Sequence, residues 1–395
     1  MTHIEQMIQD MCPNGVEFKA LGEVATLSRG KVYSKEYLRD NAGEYPVYSS
    51  QTANNGELGR ISTYDYDGKY LTWTTDGAYA GTVFRREGRF SITNVCGLIS
   101  NVDKALSIDF LYYWLNKVAK GYVYQGMGNP KLMSNVMETI EIPLPPLEIQ
   151  KKIVECLDKF SALAAELQAE LQLRRKQYEY YRTQLLTPHS DCNSADNTDD
   201  RNWECQRYTK GIAKVYDWQW KTLGEVCEIN RGVRVVRSEL EQEGKYPVYQ
   251  NSLTPLGYYD KCNYPANTTF IISAGAAGKV GFSDVDFWAA DDCLCIECPE
   301  IISSKYLYYY MLDKQDFFLS QVRHASVPRM SRTVVENFKL PLPPLAEQAR
   351  IVSILDKFEA LTTSLSDGIP AEQAAQQKRY EYYRDLLLTF PRKAE

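Results

Sequence analysis

The segment Ile142-Pro-Leu-Pro-Pro-Leu-Glu-Ile-Gln-Lys-Lys-Ile-Val-Glu-Cys-Leu-Asp-Lys-Phe-Ser-Ala-Leu163 returns as Leu340-Pro-Leu-Pro-Pro-Leu-Ala-Glu-Gln-Ala-Arg-Ile-Val-Ser-Ile-Leu-Asp-Lys-Phe-Glu-Ala-Leu361, identical at 14 of 22 positions. A repeat of about 200 residues is far longer than solenoid periods, so each copy is a complete globular unit with an appended element. The duplication spreads outward from this anchor. Lys19-Ala-Leu-Gly-Glu-Val24 pairs with Lys221-Thr-Leu-Gly-Glu-Val226, Arg29-Gly30 with Arg231-Gly232, Tyr45-Pro-Val-Tyr48 with Tyr246-Pro-Val-Tyr249, and Gly77-Ala78 with Gly275-Ala276. Leu111-Tyr-Tyr113 matches Leu307-Tyr-Tyr309, and Lys176-Gln-Tyr-Glu-Tyr-Tyr-Arg182 matches Lys378-Arg-Tyr-Glu-Tyr-Tyr-Arg384. Two similar halves predict a pseudo-two-fold object. A shared scaffold with divergent loops predicts one task performed on two targets.

Within each half the sequence changes character once. The first part is rich in Gly, Asn, Asp and aromatic residues, with short runs such as Lys69-Tyr-Leu-Thr-Trp-Thr74 and Thr268-Thr-Phe-Ile-Ile-Ser273 that read as strands of an α+β domain. One amphipathic helix is expected in each, over 108–119 and 303–313. The prolines Pro143 to Pro146, and Pro341 to Pro344, close the domain, because proline keeps the preceding residue out of helix and suits a first helical turn. Apolar and long side chains then fall at Ile153, Leu157, Phe160, Ala164, Leu167, Leu171, Arg174, Tyr178, Tyr181 and Leu185, a 4,3 alternation that marks a coiled-coil seam. About 40 helical residues give a rod of roughly 60 Å, which needs a partner helix. The second copy supplies it through Ile351, Leu355, Phe358, Thr362 and Leu365, resuming at Tyr380, Tyr383 and Leu387. A four-residue insertion between these runs is a stutter, and Gly368-Ile-Pro370 is expected to break or kink the rod there. The polar stretch from Thr187 to Thr209 lacks periodicity and reads as a linker. If the helices pack antiparallel, they hold the two domains apart at a fixed distance. Sites about one DNA turn apart, roughly 34 Å, are within reach of such a spacer.

At 395 residues, 44% hydrophobic and 24% charged, the chain has room for two or more cores. It has no run of 18 apolar residues and no cationic leader, which predicts a cytoplasmic protein without membrane contact. Its ten cysteines then read as buried, reduced thiols. Cys293-Leu-Cys-Ile-Glu-Cys298 has the look of a zinc knuckle, but strand alternation explains it and no second Cys or His pair sits at finger spacing. The net charge of -6 argues against indiscriminate nucleic-acid binding, yet it does not describe local faces. No acid lies between Phe110 and Met137, where Lys117, Lys120 and Lys131 occur, or between Phe317 and Val335, where Arg323, His324, Arg329 and Arg332 occur. A third such window, Ile229 to Ser238, carries Arg231, Arg234 and Arg237, opposite Arg29, Lys31 and Lys35 in the first copy. Paired basic windows fit two DNA contact faces; solvated loops are the plainer alternative.

Catalytic motifs are missing where they would be needed. Asn129-Pro130-Lys131 fails the Asn/Asp-Pro-Pro-aromatic pattern of an adenine methyltransferase at its third position. Gly126-Met-Gly128 lacks the strand before it and the helix after it that a cofactor turn requires. Gly278-Lys279 is followed by Val280 and preceded at the glycine position by Ser273, so it is not a phosphate-binding loop. Only His3, His189 and His324 are available for histidine chemistry. His324 suits a phosphate or base contact as well as a plain surface position.

The Leu-Pro-Leu-Pro-Pro-Leu-x-x-Gln hinge, the Leu-Asp-Lys-Phe-x-Ala-Leu heptads and the Tyr-Glu-Tyr-Tyr-Arg tail together resemble the specificity subunit of type I restriction-modification systems, in particular the subgroup with marked central and C-terminal repeats. The resemblance spans both halves. It implies an α+β architecture of two similar target recognition domains separated by two long antiparallel coiled-coil helices: domain 1 over 1–145, a central spacer helix over 146–187, a linker over 188–215, domain 2 over 216–343 and a C-terminal spacer helix over 344–391. It also implies a noncatalytic subunit that reads a bipartite site on double-stranded DNA, one domain per half. Two modification subunits would bind S-adenosylmethionine and methylate adenine N6 after flipping the base, and restriction subunits would use ATP and Mg. No cofactor is expected on this chain. The competing reading is a coiled-coil protein-interaction scaffold with no DNA role. Arg and Lys suit guanine O6 and N7, and Asn and Gln suit adenine N6 and N7, in the major groove. The candidate contacts are therefore Arg29, Lys31, Gln51, Asn54 and Lys131 in the first domain and Arg231, Arg234, Asn251, Arg323 and Arg329 in the second. Tyr79, between Gly77 and Gly81, suits a phosphate contact or a tight turn. Tyr181 and Tyr383 fall on the helical seam, whereas Tyr180 and Tyr382 point elsewhere and suit a docked modification subunit.

Overall fold

A computed structural model describes residues 3–126, 128–187, 219–364 and 368–393. The linker expected over 188–215 lies outside the described residues. The chain forms two compact units, one made of residues up to Gln168 with those from Glu372 onward, the other of Ala169–Ala371. Each unit thus combines one α+β domain with parts of two long helical segments. Five helices carry the argument: α1 (Ile108–Val118), α2 (Leu147–Leu186), α3 (Ser304–Asp313), α4 (Leu345–Thr363) and α5 (Ile369–Leu387).

In the first unit the strands order as Thr26–Arg29, Cys96–Ser100, Tyr66–Thr74, Val83–Ile92, Ala42–Tyr48 and Glu57–Ile61 in one six-stranded sheet. All neighbours are antiparallel except Ala42–Tyr48 beside Val83–Ile92. The second unit repeats this order in two pieces. Glu228–Arg231, Cys293–Glu297, Thr268–Ile272 and Val280–Ser283 form one sheet, while Gly257–Tyr259, Tyr246–Tyr249 and Trp288–Ala289 form another. The strand that is continuous over 83–92 is broken here between Ser283 and Trp288, where Asp284 and Asp286 flank Val285. The expected strands over 69–74 and 268–273 and the helices over 108–119 and 303–313 are present within a residue or two of their predicted limits, apart from the first strand, which starts at Tyr66. One expectation needs correction: Cys293 to Ile296 are buried on both faces rather than alternating, because this strand is central in its sheet.

The hinge motif has a local structural cause. Gln150, fully buried, accepts from the Ser107 amide at 2.7 Å and donates to the carbonyls of Ala105 and Pro145, both at 2.8 Å. Gln348 does the same with the Ser303 amide at 2.8 Å and the carbonyls of Ile301 at 3.0 Å and Pro343 at 2.9 Å. One amide thereby satisfies three backbone groups at the joint between domain and helix, and no apolar residue could replace it without orphaning them. Packing continues from the sheet into the helices. Trp73, Phe110, Leu111, Ile153, Leu157 and Leu388 share one core, and Ile271, Tyr306, Leu307, Ile351, Leu355 and Leu186 share its counterpart.

The Leu-Asp-Lys-Phe and Tyr-x-x-Tyr repeats meet across the helices. In the first unit Phe160 stacks on Tyr383 with centroids 5.4 Å apart and touches Tyr380, while Gln168 accepts from Gln373 at 3.0 Å, an antiparallel order. In the second unit Phe358 stacks on Tyr181 at 5.5 Å and touches Tyr178. Tyr180 and Tyr382 are exposed. The seam is not unbroken, however. Ala164 is exposed, and with Ala374 too small to fill the gap a cleft of about 590 Å³ opens among Phe160, Gln168, Gln373 and Tyr380. The second rod is also two helices, α4 ending at Thr363 and α5 starting at Ile369 with Pro370 in its first turn, as the Gly-Ile-Pro stretch requires.

Candidate nucleic-acid interface

Two glycines place the first cations. A Cβ at Gly30 would stand 1.9 Å from the Ile92 carbonyl oxygen, and one at Gly232 would stand 2.3 Å from those of Ala289 and Ala290. Only glycine allows this approach, which leaves exposed Arg29 and Arg231 as the last residues of their strands. A second element brings up the next cation. Tyr124 and Lys131 exchange backbone hydrogen bonds of 2.9 and 3.1 Å, as do Arg323 and Arg329 at 2.8 and 3.1 Å. Each of these short ladders is pinned to a glycine turn. Gly77, at φ 96°, donates to Pro130 at 3.0 Å and Leu132 donates to Thr75 at 2.9 Å; Gly275, at φ 81°, donates to Pro328 at 3.1 Å and Met330 donates to Ser273 at 2.9 Å.

The two ladders lie near the strand ends. Arg29 reaches the Met133 sulfur at 3.1 Å, two residues beyond Lys131. In the second unit Arg231 and Arg329 both bear on Asp292, whose carboxyl is pushed above its ordinary range by burial and by Asp291, against the pull of those two cations. Each unit thus presents Arg29 with Lys131, or Arg231 with Arg329, on matching backbone, and the second adds Arg323 beside Arg329. Planar guanidinium groups on fixed backbone can donate to phosphate oxygens or guanine edges.

The remaining candidates sit apart from these pairs. Lys31 is held by Asp65 at 2.5 Å, and Tyr33 also donates to Asp65 at 2.6 Å. Burial pushes the Asp65 carboxyl up, but those two hydrogen bonds outweigh it and leave it below its ordinary range. Gln51 donates to the Glu57 carbonyl and so braces the turn in which Asn54, Asn55 and Gly56 adopt φ of 50°, 52° and 79°. Asn54 is exposed on that turn. The Asn251 carbonyl accepts from the Ala276 amide at 2.9 Å, close against Gly275. Arg234 is exposed beyond its strand. Tyr79 combines its two readings: its carbonyl accepts from Thr82 in a tight turn, and its ring is 59% exposed. His324 is exposed between Arg323 and Arg329.

The acid-free windows are acid-free along the chain but not in space. Lys131 lies 3.8 Å from Asp76, and Arg332 lies 2.7 Å from Glu336. Lys117 is not on this face at all, because its ammonium caps the end of α5. Local counting of charge could not foresee Asp76, which comes from a distant segment, whereas Glu336 stands just past the end of its window. Another residue escaped it as well. Arg86 is 3% exposed, its guanidinium 3.6 Å from the Tyr48 ring centre and 4.5 Å from that of Phe84, with its Nε donating to Thr72 at 3.1 Å. Burial pulls its pKa below the ordinary value, and the Tyr48 ring face compensates part of the lost hydration. It lies directly under Gly56, where a Cβ would come within 3.0 Å of Nη2. Among the described residues no three His, Cys, Asp or Glu side chains gather as a metal site, and no helix is long and apolar enough to cross a membrane.

A mixed-sheet domain with a cationic edge, joined by a proline hinge to a long helix and built twice in one chain, defines a protein with two separate recognition heads. The model of the type I restriction modification DNA specificity domain matches residues 13–173 and again 216–373, and the chain belongs to that family of DNA-sequence recognition subunits. A Mycoplasma pneumoniae protein named a type I specificity subunit is 30% identical over 92% of this chain and 95% of its own length. A Haemophilus influenzae protein named a type I restriction enzyme specificity subunit is 30% identical over 98% of each. Among solved structures, the S subunit of the type I system of M. genitalium shares the fold with a TM-score of 0.63 at 18% identity, covering 96% of this chain and 97% of that one. These likenesses fit DNA recognition and leave the scaffold reading without support.

Proposed function

We propose that each unit reads one half of a bipartite site on double-stranded DNA and that the chain performs no chemistry itself. The observation that carries this is the repetition of one cationic edge on one backbone: Arg29 with Lys131 and Arg231 with Arg329, each set by a glycine-bound strand end and a ladder pinned to a glycine turn. Arg323, Arg234, Asn251, Lys31, Gln51 and Asn54 are the further candidate contacts, with Lys31 first having to leave Asp65. Arg29, Lys131, Arg231 and Arg329 hold the phosphates or guanine edges, and the side chains around them, which differ between the units, set the bases.

In this reading two modification subunits dock on the helices and hold S-adenosylmethionine, which supplies the methyl group for adenine N6. Restriction subunits supply the ATP- and Mg-dependent steps. A solved structure concerned with complex assembly of the type I restriction-modification system shares this fold at a TM-score of 0.55, which supports a chain that works as part of a larger machine. Coexpression with its modification partner in a methylation-free host, followed by mapping of modified bases, tests the proposal. Adenine methylation at one split motif is expected, with none from this chain alone. Scattered or absent methylation by the assembled complex would overturn it.

A further inference from the structure

The joints between domains and helices are built from shared residues, but their charges are reversed. The aligned Leu-Tyr-Tyr runs set Lys117 opposite Asp313 in the repeat, and the aligned Tyr-Glu-Tyr-Tyr-Arg runs set Arg182 opposite Arg384 and Thr183 opposite Asp385. In the first unit the Lys117 ammonium donates to the carbonyls of Leu388 at 2.7 Å and Asp385 at 3.2 Å and to the Thr389 hydroxyl at 3.4 Å, closing the C-terminal end of α5. The second unit has an acid in that place. Asp313, its side chain 3% exposed, accepts from the Thr183 hydroxyl at 2.7 Å and pairs with Arg182 at 3.4 Å at the end of α2, with Lys314 at 3.0 Å on its other oxygen.

A second reversal lies on the same two helices. In α1, Asp109 takes Arg85 at 3.1 Å, and Arg85 also meets Asp158 of α2 at 2.8 Å. At the equivalent position of α3 stands Lys305, which meets Glu359 of α4 at 3.2 Å and Asp356 at 3.8 Å, while the strand position of Arg85 is taken by Phe282 under the Lys305 ammonium. The parts the joints have in common cannot distinguish the two units. Tyr113 donates to Asp158 at 2.6 Å as Tyr309 does to Asp356, and the Gln150 and Gln348 amides are interchangeable.

We propose that the Lys117/Asp313 reversal is an electrostatic address. It seats the first domain on the end of α5 and the second on the end of α2, and it disfavours an exchange in which a domain takes the wrong helix end from a second copy of the chain; the second reversal only sets each domain against the helix that follows it. Another helix end would still offer Lys117 terminal carbonyls, but on an α2 end it would meet Arg182 without the Asp385 carboxylate, which in the first unit favours the Lys117 charge and pairs with Arg384 at 2.8 Å. On an α5 end Asp313 would be buried against Asp385 and the terminal carbonyls. A charge left half-buried without its partner is costly, so a reversed pair discriminates where matched apolar contacts cannot. The address is independent of which bases the domains read.

The test uses the full chain. Lys117→Asp should lower the thermal midpoint by about 5 °C, and adding Asp385→Thr, which transposes the joint of the second unit into the first, should restore at least half of the loss. Asp313→Lys and Asp313→Lys with Thr183→Asp form the reciprocal pair. Lys117→Met should lose less than Lys117→Asp; equal losses would reduce the joint to a packing contact and overturn the proposal. The Lys117→Asp, Asp385→Thr chain has two joints of one kind, so refolding it from denaturant at rising concentration should yield dimers and larger species by light scattering where the parent stays monomeric. Failure of both transposed pairs to restore stability, or the same mass distribution for parent and transposed chain, would refute the address.

Discussion

The first and second recognition domains use the same hydrogen bonds at the hinge and the same glycine turns beneath the cationic edge, yet they differ in the sheet that supports that edge and in the groups around it. The strand Val83–Ile92 is continuous in the first and broken after Ser283 in the second. Lys31 and its partner Asp65 stand in the first where the second has Val233, and Arg323 stands in the second where the first has Tyr124. Much of the agreement lies in residues that satisfy buried backbone groups or leave no room for a side chain, conditions that only one or two residue types meet. The differences fall where many residue types fit. Two copies of one scaffold can therefore diverge in what they read without losing how they fold.

The largest test of that contrast is at the hinge. Gln150→Leu and Gln348→Leu each orphan three backbone groups, so each should cost about 3 kcal/mol in guanidinium unfolding. A large difference between the two would break the equivalence of the joints. Gly30→Ala and Gly232→Ala come next, at about 2 kcal/mol of overpacking each. Their effect on methylation should be confined to one half of the motif apiece, and loss of both halves from either would show that the edges are not separate. Arg29→Ala with Lys131→Ala, against Arg231→Ala with Arg329→Ala, should each weaken DNA binding by the assembled complex by about 1–3 kcal/mol and lower its salt slope by roughly one for every phosphate no longer neutralised. A smaller effect is expected at the acids. Asp76→Asn frees Lys131 and should tighten binding by less than about 1 kcal/mol.

The weakest effect concerns pH and only the first domain. The Asp65 carboxyl is held below its ordinary range, so it binds fewer protons folded than unfolded at mildly acid pH. Its contribution is present above the unfolded carboxylate range and is lost as pH falls through the folded value. Asp65→Asn should flatten the acid limb of the first unit's stability curve and leave the second unchanged; no change in either would show that the Lys31 pair is too exposed to matter.

The hinge, the stacked Phe and Tyr residues and the Arg-Gly strand ends were legible in the chain because each is a short motif with a local cause, repeated. The reversed charges at Lys117 and Asp313 are equally visible in the letters, but their meaning depends on α5 and α2 reaching them from more than 100 residues away. Shorter separations hide Asp65 and Asp76, which answer cations in windows that carry no acid of their own. Arg86 gave no signal, since an arginine in a strand reads as solvated until the Tyr48 and Phe84 rings are seen against it. The unfilled seam at Ala164 was missed because heptad spacing counts positions and not volumes.

The central claim is that one domain reads one half of the site. Its most direct measurement replaces residues 1–145 with those of a relative, coexpresses the hybrid with the modification partner and maps methylated adenines. The account predicts a motif with one half changed and the other half and the gap retained. A motif altered in both halves, or an unaltered motif at lower overall methylation, would contradict it.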